Sequence, residues 1–403
     1  MDLLKTTNIL LTILMGLCYL PMLVYVIGAL MSHEENKKEY PQNRCYGLLV
    51  CARNEEKVIA SLLESIDKQT YPRQLLDVFV MADNCDDDTA VIAKKHGAFV
   101  YERHDENKIG KGYALDLLCK RIKEEHDDYD GFFVFDADNI LKENCIAKMH
   151  EKISEGKQII TSYRSSKNIS SGVVAGCQSL WFFLTDRFLN YPRDLLGISC
   201  TVSGTGFYFS HRIFEMMNGW PYHSLSEDIE FSLDMVLKGE RITYCHEAIF
   251  YDEQPLTYAQ SHLQRLRWDK GYLQVIGLYW QAILKGIGHG DLNVLELTRI
   301  LLPALFTPLC FVMTMLLWLS GQNDLIHILT KASFSYLALF VMAAMTVVCE
   351  SKRIRCSLNK KIIYCLCFPL FMASYLIISL QALFVKVTWK PIRHEVCSLD
   401  PLS

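Results

Sequence analysis

The sequence predicts an α/β nucleotide-binding domain carried on α-helical membrane spans. From Tyr46 to Asp138, short apolar segments alternate with segments of helical spacing, which is the pattern of parallel strands joined by helices. Residues 7–31 contain no charged side chain, and about 20 apolar residues suffice to cross a bilayer. Three more long apolar segments follow the polar part of the chain, at about 297–320, 334–349 and 362–385.

The composition agrees with a membrane protein whose polar part faces a reducing compartment. Of the 403 residues, 51% are hydrophobic, which is high for a purely soluble protein. The net charge of −4 argues against a general nucleic-acid binder, so no nucleic acid is expected as a partner. The fifteen cysteines are scattered without a Cys-x-x-Cys pair, which predicts reduced thiols and neither a disulfide framework nor a zinc site.

Four strands are predicted, at 47–52, 77–82, 98–103 and 132–135. The first helix between them has apolar residues at helical spacing and ends before Tyr71-Pro72. The second helix runs from Thr89 to His96 and the third from Gly112 to Glu125. No G-x-G-x-x-G follows the first strand, and Gly110-Lys111-Gly112 is too short for a P-loop, so a dinucleotide dehydrogenase is disfavoured.

The fourth strand ends in two carboxylates, Asp136 and Asp138. Because open α/β sheets bind ligands at the carboxyl ends of their strands, this pair is a candidate site. Neighbouring carboxylates repel each other unless a cation or donors compensate them, and a hard divalent ion carrying phosphate oxygens would do so. Asp-x-Asp alone fits a solvated turn equally well.

Residues 139–290 are less regular. The aromatic, amphipathic segment 172–189 predicts either an ordinary packing helix or an interfacial helix against the membrane. Ser226-Glu227-Asp228 precedes a helical pattern, so it is either a helix cap or part of a site. The run from Gln264 to Trp268 (QRLRW) follows a polar helix start and leads into an apolar stretch.

The charge pattern predicts the orientation in the membrane. The positive-inside rule places the basic loop at 350–361, between the last two apolar segments, in the cytosol. Counting back through two spans places residues 32–290 on the same side. Three C-terminal spans put the tail outside, whereas the basic residues Lys386, Lys390 and Arg393 favour the inside. A missed span or a re-entrant segment would resolve this conflict.

The predicted organisation is therefore a multi-pass protein of the cell membrane, with the lipid bilayer as a partner. Its parts are an N-terminal transmembrane helix (1–31), a cytosolic domain with interfacial helices (32–285) and a region of about three spans with the tail (286–403). A cleaved signal peptide is disfavoured because the N-terminal apolar run is too long and lacks a clear cleavage pattern.

Four features in order carry a family resemblance: Asp83, the Asp136–Asp138 pair, Ser226-Glu227-Asp228 and the QRLRW run. With spans on both sides, the chain resembles the membrane-embedded family 2 glycosyltransferases, which include cellulose, chitin and hyaluronan synthases. The resemblance covers roughly residues 45–280. It implies a GT-A-type, Rossmann-like domain with interfacial helices, a nucleotide-sugar donor and Mg²⁺ or Mn²⁺ as cofactor.

The resemblance also implies roles for single residues. Asp138, helped by Asp136, would bind the metal ion that bridges the diphosphate, and Asp228 would be the general base. Ala52 and Arg53 depart from the Thr and Tyr that are common at their places. Substrate and nucleotide binding would fall to Ala52, Glu55, Asp83, Lys111, Asp136, Gln264, Arg265, Arg267 and Trp268, of which the last four would bind the diphosphate and form the floor of the acceptor site. Apart from the resemblance, Gly204, Thr205 and Glu227 are candidate acceptor contacts, and a simple turn of the chain explains Gly204-Thr205 equally well.

The chemistry asks for these residue types independently. A leaving diphosphate needs charge neutralisation by a metal ion and arginines, and an attacking hydroxyl needs one carboxylate to take its proton. One base and one metal site imply a single displacement with inversion. Resemblance to the polysaccharide synthases adds the acceptor and implies elongation of a β-linked polysaccharide from a nucleotide sugar, taken as UDP-linked.

Two alternatives stay open at this point. The first is transfer of one sugar to a polyprenyl phosphate or another lipid-linked acceptor. The second is a non-catalytic sugar-nucleotide-binding or polysaccharide-export subunit. Asp228, in company with Asp136, Asp138 and Trp268, argues against the non-catalytic alternative.

Overall fold

The structure, a computed structural model of the chain, describes residues 2–31, 40–126, 128–388, 394–395 and 398–399. The strands are β1 Tyr46–Ala52, β2 Leu76–Asp83, β3 Phe99–Arg103, β4 Gly131–Asp136, β5 Ile140–Leu141, β6 Ile159–Ser166, β7 Phe207–Ser210 and β8 Ile242–Asp252. The helices up to β8 are α1 Asp2–Tyr19, α2 Pro21–Met31, α3 Ile59–Asp67, α4 Thr89–Lys95, α5 Lys111–Glu125, α6 Cys145–Ser154, α7 Val173–Thr185, α8 Tyr191–Leu195, α9 His211–Met217 and α10 Glu227–Leu237. After β8 come α11 Tyr258–Gly288, α12 Leu292–Leu319, α13 Leu325–Cys349, α14 Leu358–Ala373 and α15 Tyr375–Phe384.

One mixed sheet organises the polar domain, in the order β3-β2-β1-β4-β7-β6-β8-β5. The four strands predicted from the sequence are adjacent and parallel, which confirms the β-α alternation. Beyond them the sheet turns mixed, because β7 runs antiparallel to both β4 and β6. The second half of the sheet was not predicted.

The centre of the sheet is covered on both faces. Along β4, Phe132 and Val134 face the layer that contains α5, whereas Phe133 and Phe135 face the layer that contains α3 and α6. All four are essentially inaccessible to solvent. Successive side chains of a strand point to opposite faces, so a run of four large apolar residues requires this double cover. The predicted buried strand is confirmed.

Four helical segments are long and apolar enough to cross a membrane: Leu3–Leu30, Leu292–Leu319, Leu325–Cys349 and Leu358–Phe384. The first consists of α1 and α2, which meet at Leu20, directly before Pro21. α1 packs along α12, and α13 packs along α14. The four apolar segments predicted from the sequence are therefore all helical.

The last of these segments contacts the polar domain at both ends. The Lys360 ammonium near its start donates to the carbonyl of Ser170 (2.9 Å), and Lys270 of α11 donates to the carbonyl of Ala382 near its end (2.8 Å). Between α14 and α15 the chain bends at Ser374, whose hydroxyl accepts a hydrogen bond from Arg265 (2.7 Å). Both ends of this apolar segment are therefore tied to the polar domain and to α11.

The sequence left the side of the tail open, and the structure places the described residues 394 and 395 against the polar domain. His394 lies against Glu55, and the Glu395 amide donates to the Glu253 carboxylate (3.1 Å). The tail therefore returns to the polar domain. Lys390 and Arg393, on which the conflict partly rested, lie outside the described residues.

Helix α7 lies within the segment that was predicted to pack or to be interfacial. It packs on β6 on one side and on α13 and α14 on the other. Gly176 allows the close approach to α14, since a Cβ there would lie 2.4 Å from the ring of Tyr364. Helix α7 therefore joins the polar domain to the apolar helices.

The glycine after Lys111 supports a stability prediction. A Cβ at Gly112 would lie 2.1 Å from the backbone carbonyl oxygen of Tyr222, which cannot move aside as a flexible side chain could. We expect Gly112→Ala to lower the free energy of unfolding by about 1–3 kcal/mol through overpacking. The thermal midpoint of the detergent-solubilised protein measures this.

The matched control is Gly277→Ala. Gly277 is also helical, but nothing lies within 4 Å of its added Cβ. Alanine there should be neutral or stabilise the helix by up to about 1 kcal/mol. Equal shifts of the two midpoints would contradict the prediction.

Candidate active site

A cavity of about 180 Å³ opens at the carboxyl ends of β1, β2 and β4. The carboxyl ends of parallel strands meet at one edge of a sheet, so residues that are far apart in sequence converge here. The first turns of α5 and α10 and one turn of α11 complete the walls. Twelve of the predicted site residues line it: Ala52, Glu55, Asp83, Lys111, Asp136, Asp138, Gly204, Glu227, Asp228, Gln264, Arg267 and Trp268.

Lys111 and Asp136 form an ion pair inside the cavity. The Lys111 ammonium also donates to the carbonyl of Gly204 (2.7 Å). Burial by itself lowers the pKa of Lys111, but the negative charges of Asp136 and Glu227 outweigh burial and raise that pKa above its usual value. Lys111 is therefore a fixed positive charge among the carboxylates.

Asp138 is a buried carboxylate with few donors of its own. Its oxygens accept hydrogen bonds from the Glu253 amide (3.0 Å) and the Asn139 side chain (3.2 Å). Burial opposes ionisation, but the positive charges of His394 and Lys167 outweigh it and hold the pKa of Asp138 below its usual value. The group is ionised at neutral pH.

This carboxylate fits a divalent metal ion that also carries phosphate. Mg²⁺ and similar hard ions are commonly held by one or two carboxylates together with substrate phosphates. Among the described residues, no group of three or more His, Cys, Asp or Glu side chains has metal-binding geometry. Phosphate oxygens of a ligand would therefore have to complete the coordination shell around Asp138.

The cavity is strongly acidic. Arg53, Lys111, Arg164, Arg267 and His394 are the basic residues in its described lining. A diphosphate would enter at a net electrostatic cost unless a further cation accompanied it. The eight carboxylates in the lining are Glu55, Asp83, Asp136, Asp138, Glu227, Asp228, Asp252 and Glu253.

Asp83 and Glu55 occupy the wall formed by β1 and β2. The Asp83 carboxylate pairs with the buried Arg103, and the Glu55 amide donates to the Thr89 hydroxyl (2.8 Å). Burial is the main cause that raises the pKa of both carboxyl groups. Asp86, on the adjoining loop, is exposed to solvent.

Glu227 and Asp228 lie in the first turn of α10. Gly204 lies close to them, since a Cβ there would be 3.4 Å from one carboxylate oxygen of Asp228. Burial raises the pKa of Asp228 above its usual range. Burial and the neighbouring Asp228 raise the pKa of Glu227 to about 7. The pair therefore holds carboxyl groups that can exchange protons near neutral pH.

Helix α11 brings Gln264, Arg267 and Trp268 to the same cavity. Gly271 lets this helix approach α10, because a Cβ there would lie 2.2 Å from the hydroxyl of Ser226. Trp268 stands edge-to-face with Phe182 of α7, at 6.0 Å between ring centroids. The indole is therefore held beside the first turn of α10.

Comparison with known proteins decides the family. The sequence pattern described as "Glycosyltransferase like family 2" matches residues 41–271, more than half of the chain. The chain belongs to this family. The match includes β1, all the carboxylates discussed above and the QRLRW run of α11.

This family 2 glycosyltransferase is similar to several curated proteins. It is 26% identical over 267 residues to the probable glycosyltransferase YdaM of Bacillus subtilis (60% of this chain, 58% of the relative). It is 25% identical over 281 residues to a beta-monoglucosyldiacylglycerol synthase of Trichormus variabilis (65% and 57%). It is 25% identical over 234 residues to a poly-beta-1,6-N-acetyl-D-glucosamine synthase of Staphylococcus aureus (57% and 54%). The matches span little more than half of each relative's length.

A solved structure confirms the GT-A fold. The mannosyltransferase PcManGT of Pyrobaculum calidifontis, in complex with GDP-Man and Mn²⁺, superposes with a TM-score of 0.61. The superposition covers 94% of this chain and 99% of that one, at 15% sequence identity. The likeness therefore extends from the polar domain into the apolar helices of this family 2 glycosyltransferase.

Two predicted site residues lie outside the cavity lining. Arg265 is buried against α14. Its guanidinium donates to the backbone carbonyl of Phe371 (3.2 Å) and lies over the aromatic ring of the same residue. Residues two apart on a helix point about 200° away from each other, so Arg265 and Arg267 face opposite sides. Thr205 is buried beneath the cavity, and its hydroxyl accepts from the Asp136 amide (2.9 Å), so it supports that strand end and does not face an acceptor.

Five further residues of the lining with charged or basic side chains were missed: Arg53, Arg164, Asp252, Glu253 and His394. Asp252 and Glu253 end a strand as Asp136 does, so the same strand-end argument applied to β8 would have found them. Arg164 donates from Nε to Asp252 (2.8 Å). His394 Nδ1 lies 2.9 Å from Glu55, and no periodicity in the sequence connects the tail to this cavity.

The two arginines of α11 support a prediction with separate readouts. Arg265→Leu removes a buried guanidinium that bridges to α14, so the thermal midpoint should fall by an amount equivalent to about 2 kcal/mol, with donor affinity nearly unchanged. Arg267→Leu should weaken nucleotide-sugar binding roughly tenfold or more and leave the midpoint nearly unchanged. Arg267 lines the cavity, and its Nε has no hydrogen-bond partner among the described residues.

Isothermal titration with a nucleotide sugar and thermal unfolding measure the two effects on the same preparations. Loss of donor binding in Arg265→Leu at an unchanged midpoint would show that Arg265 binds the donor.

Proposed function

We propose that this protein is an inverting, metal-dependent glycosyltransferase that moves a sugar from a nucleotide donor, taken as UDP-linked, onto a growing β-linked polysaccharide at the membrane. One observation carries the proposal. A half-buried carboxylate (Asp228), a guanidinium whose Nε has no hydrogen-bond partner among the described residues (Arg267) and an aromatic face (Trp268) share a cavity with the carboxylate Asp138. Family membership supports the same activity.

The donor side of the cavity would hold the nucleotide. Ala52, Glu55 and Asp83 line the end of β1 and β2 and would bind the nucleoside, with Lys111 beside it. Arg267 and Gln264 would bind the diphosphate. Mg²⁺ or Mn²⁺, held by Asp138 with Asp136 nearby, would neutralise charge on the leaving diphosphate when bound.

The acceptor side would be formed around α10. Asp228 would take the proton from the incoming hydroxyl group while that oxygen attacks the anomeric carbon from the face opposite the diphosphate. A single displacement inverts the anomeric centre, so an α-linked donor gives a β-linked product. Trp268 offers a ring face to a sugar, and Gly204 and Glu227 border the same space.

Replacement of the base gives the sharpest test of catalysis. Asp228→Asn keeps the size of the side chain and removes the proton acceptor, so turnover should fall about 10²–10⁴-fold with donor affinity nearly unchanged. Release of UDP measures turnover, and titration calorimetry measures affinity. Asp86→Asn, an exposed aspartate on a loop, is the matched control and should keep full activity. Normal turnover by Asp228→Asn would eliminate Asp228 as the base, whereas absence of turnover in the parent protein would favour the non-catalytic alternative.

The carboxyl pair also predicts a pH dependence. Asp228 acts only when deprotonated, and burial raises its pKa, so the acidic fall of kcat/KM should come at a higher pH than an ordinary aspartate would give. Burial and the Asp228 charge raise the pKa of Glu227 to about 7, so Glu227 takes up the first proton of the pair and carries little charge on the acidic limb. Glu227→Gln should therefore leave the acidic limb nearly in place. A shift of that limb by a full pH unit or more in Glu227→Gln would contradict this assignment.

A specific observation favours the lipid acceptor as a second candidate. Beyond Trp268, α11 exposes Trp280 and Leu284, each at least half accessible. Residues four apart share one face of a helix, so these two form an apolar face of α11 along which a lipid-linked acceptor could lie. The similarity to a beta-monoglucosyldiacylglycerol synthase points the same way.

The nature of the product distinguishes the two acceptors. Purified full-chain protein is incubated with a panel of radiolabelled UDP-sugars and Mn²⁺, and the products are extracted with organic solvent. A long polymer stays in the aqueous or insoluble fraction, whereas a lipid carrying one sugar partitions into the solvent. Single-sugar lipid products alone would reject the polysaccharide proposal and support the second candidate. Absence of sugar transfer from every donor would reject both.

The proposed orientation places the catalytic domain in the cytosol. The basic loop after α13 lies against this domain, because Arg353 donates to the carbonyl of His246 (3.0 Å). Loops rich in Lys and Arg near the ends of spans face the cytosol, so the loop and the domain in contact with it share that side.

A further inference from the structure

A second cavity, of about 370 Å³, lies on the opposite face of the sheet from the catalytic site. Tyr163 of β6 and Tyr251 of β8 point into it. Their neighbours Arg164 and Asp252 line the catalytic cavity, since alternate residues of a strand face opposite sides. The paired strands β6 and β8 therefore form a wall between the two cavities.

Positive charge from two separate parts of the chain converges in this second cavity. Lys142 and Lys148 come from the polar domain, where Lys142 precedes α6 and Lys148 lies within it. Lys352, Arg353 and Arg355 come from the loop between α13 and α14. Among the described lining residues, Glu247 is the single carboxylate. The cavity therefore has a large excess of positive charge.

Two of the five cations are committed within the protein. Lys148 pairs with Glu151 (2.6 Å) and Glu247 (3.1 Å). Arg353 lies over the ring of Tyr163 at 4.1 Å and donates to the backbone of His246.

The other three cations are available to a ligand. Within the part of the chain that the structure describes, Lys142, Lys352 and Arg355 have no carboxylate within 4 Å. Like charges held together around a concave space repel each other, and an anion that enters the space relieves this repulsion.

We propose that this cavity, which we call the rear cavity, is a binding site for a phosphate-bearing anion of at least two negative charges. Lysine ammonium groups and the Arg355 guanidinium are the side chains that bind phosphate oxygens best, and arginine can bind two of them at once. A monoanion would leave much of the charge uncompensated. The volume falls within the range of small-ligand pockets.

The position of the rear cavity allows two sources for the phosphate. The loop that supplies Lys352 and Arg355 joins two apolar helices, and Val348 and Leu358 on either side of it are exposed. The headgroup of an anionic lipid could therefore reach the cavity from the membrane surface. A soluble phosphorylated metabolite could enter from the aqueous side.

The positive-inside rule alone does not account for this arrangement. It explains basic residues in the loop after α13, which flanks an apolar helix. It does not require Lys142, which follows β5 in the polar domain, to face the same cavity. Lys142 is thus a cation of the lining that only a ligand site explains, and the test variant below removes it.

The test compares two double variants that lose the same charge. Lys142→Gln/Arg355→Gln removes two of the three unpaired cations of the rear cavity. Lys68→Gln/Lys95→Gln removes two exposed lysines of the same domain as the control. Full-chain protein is titrated with inorganic pyrophosphate in detergent with EDTA, and it is also placed in nanodiscs of phosphatidylcholine with or without phosphatidic acid. Thermal midpoints are measured in each condition.

The proposal expects a rise of the midpoint with pyrophosphate or with phosphatidic acid. The apparent Kd for pyrophosphate, or the lipid-dependent rise, should weaken at least tenfold in the rear-cavity variant and not in the control. A response to phosphatidic acid alone identifies a lipid headgroup, and a response to pyrophosphate identifies a soluble phosphate. Equal responses of both variants, or no response in the parent protein, would overturn the proposal. Pyrophosphate binding that is lost in Arg267→Leu but kept in the rear-cavity variant would overturn it too, because that binding belongs to the catalytic cavity.

Discussion

The contact between the Lys111 ammonium, the Asp136 carboxylate and the Gly204 carbonyl ties together the three segments on which the catalytic cavity depends. It joins the end of β4, the first turn of α5 and the loop before β7. The ion pair is partly shielded from water and also hydrogen-bonded, so it holds these three segments together. The remaining carboxylates still exceed the basic groups, and the proposed metal ion would offset this imbalance when a diphosphate binds.

A second constraint couples this cavity to the apolar helices. Arg265 and Arg267 lie within one turn of α11, and the first anchors that turn to the bend between α14 and α15 while the second lines the cavity. Gln264, also in the lining, accepts a hydrogen bond from Gln178 of α7, and α7 packs on α14. A displacement of the apolar helices would therefore move Trp268 and Arg267. This coupling suits an enzyme whose acceptor approaches from the membrane.

Strands β6 and β8 serve two cavities because their side chains alternate. Arg164 and Asp252 contribute to the catalytic cavity, whereas Tyr163 and Tyr251 contribute to the rear cavity. The register of the two strands shifts between Ser162 and Tyr163, so the part that separates the cavities follows an irregularity in the pairing. An anion bound in the rear cavity would contact Tyr163 and Tyr251. Each of these is the sequence neighbour of a residue that lines the catalytic cavity, Arg164 and Asp252.

The sequence by itself determined the four parallel strands, the four apolar helices and most of the catalytic cavity. Those features depend on local periodicity, on lengths that match a bilayer and on polar residues at strand ends, all of which can be read along the chain. Tertiary structure alone decided that Arg265 faces α14, that Thr205 lies beneath Asp136, that His394 enters the cavity and that Lys360 of α14 contacts the polar domain. Each of these depends on contacts between segments that are distant in sequence. Their side chains could satisfy other partners equally well until the packing of the helices selects one.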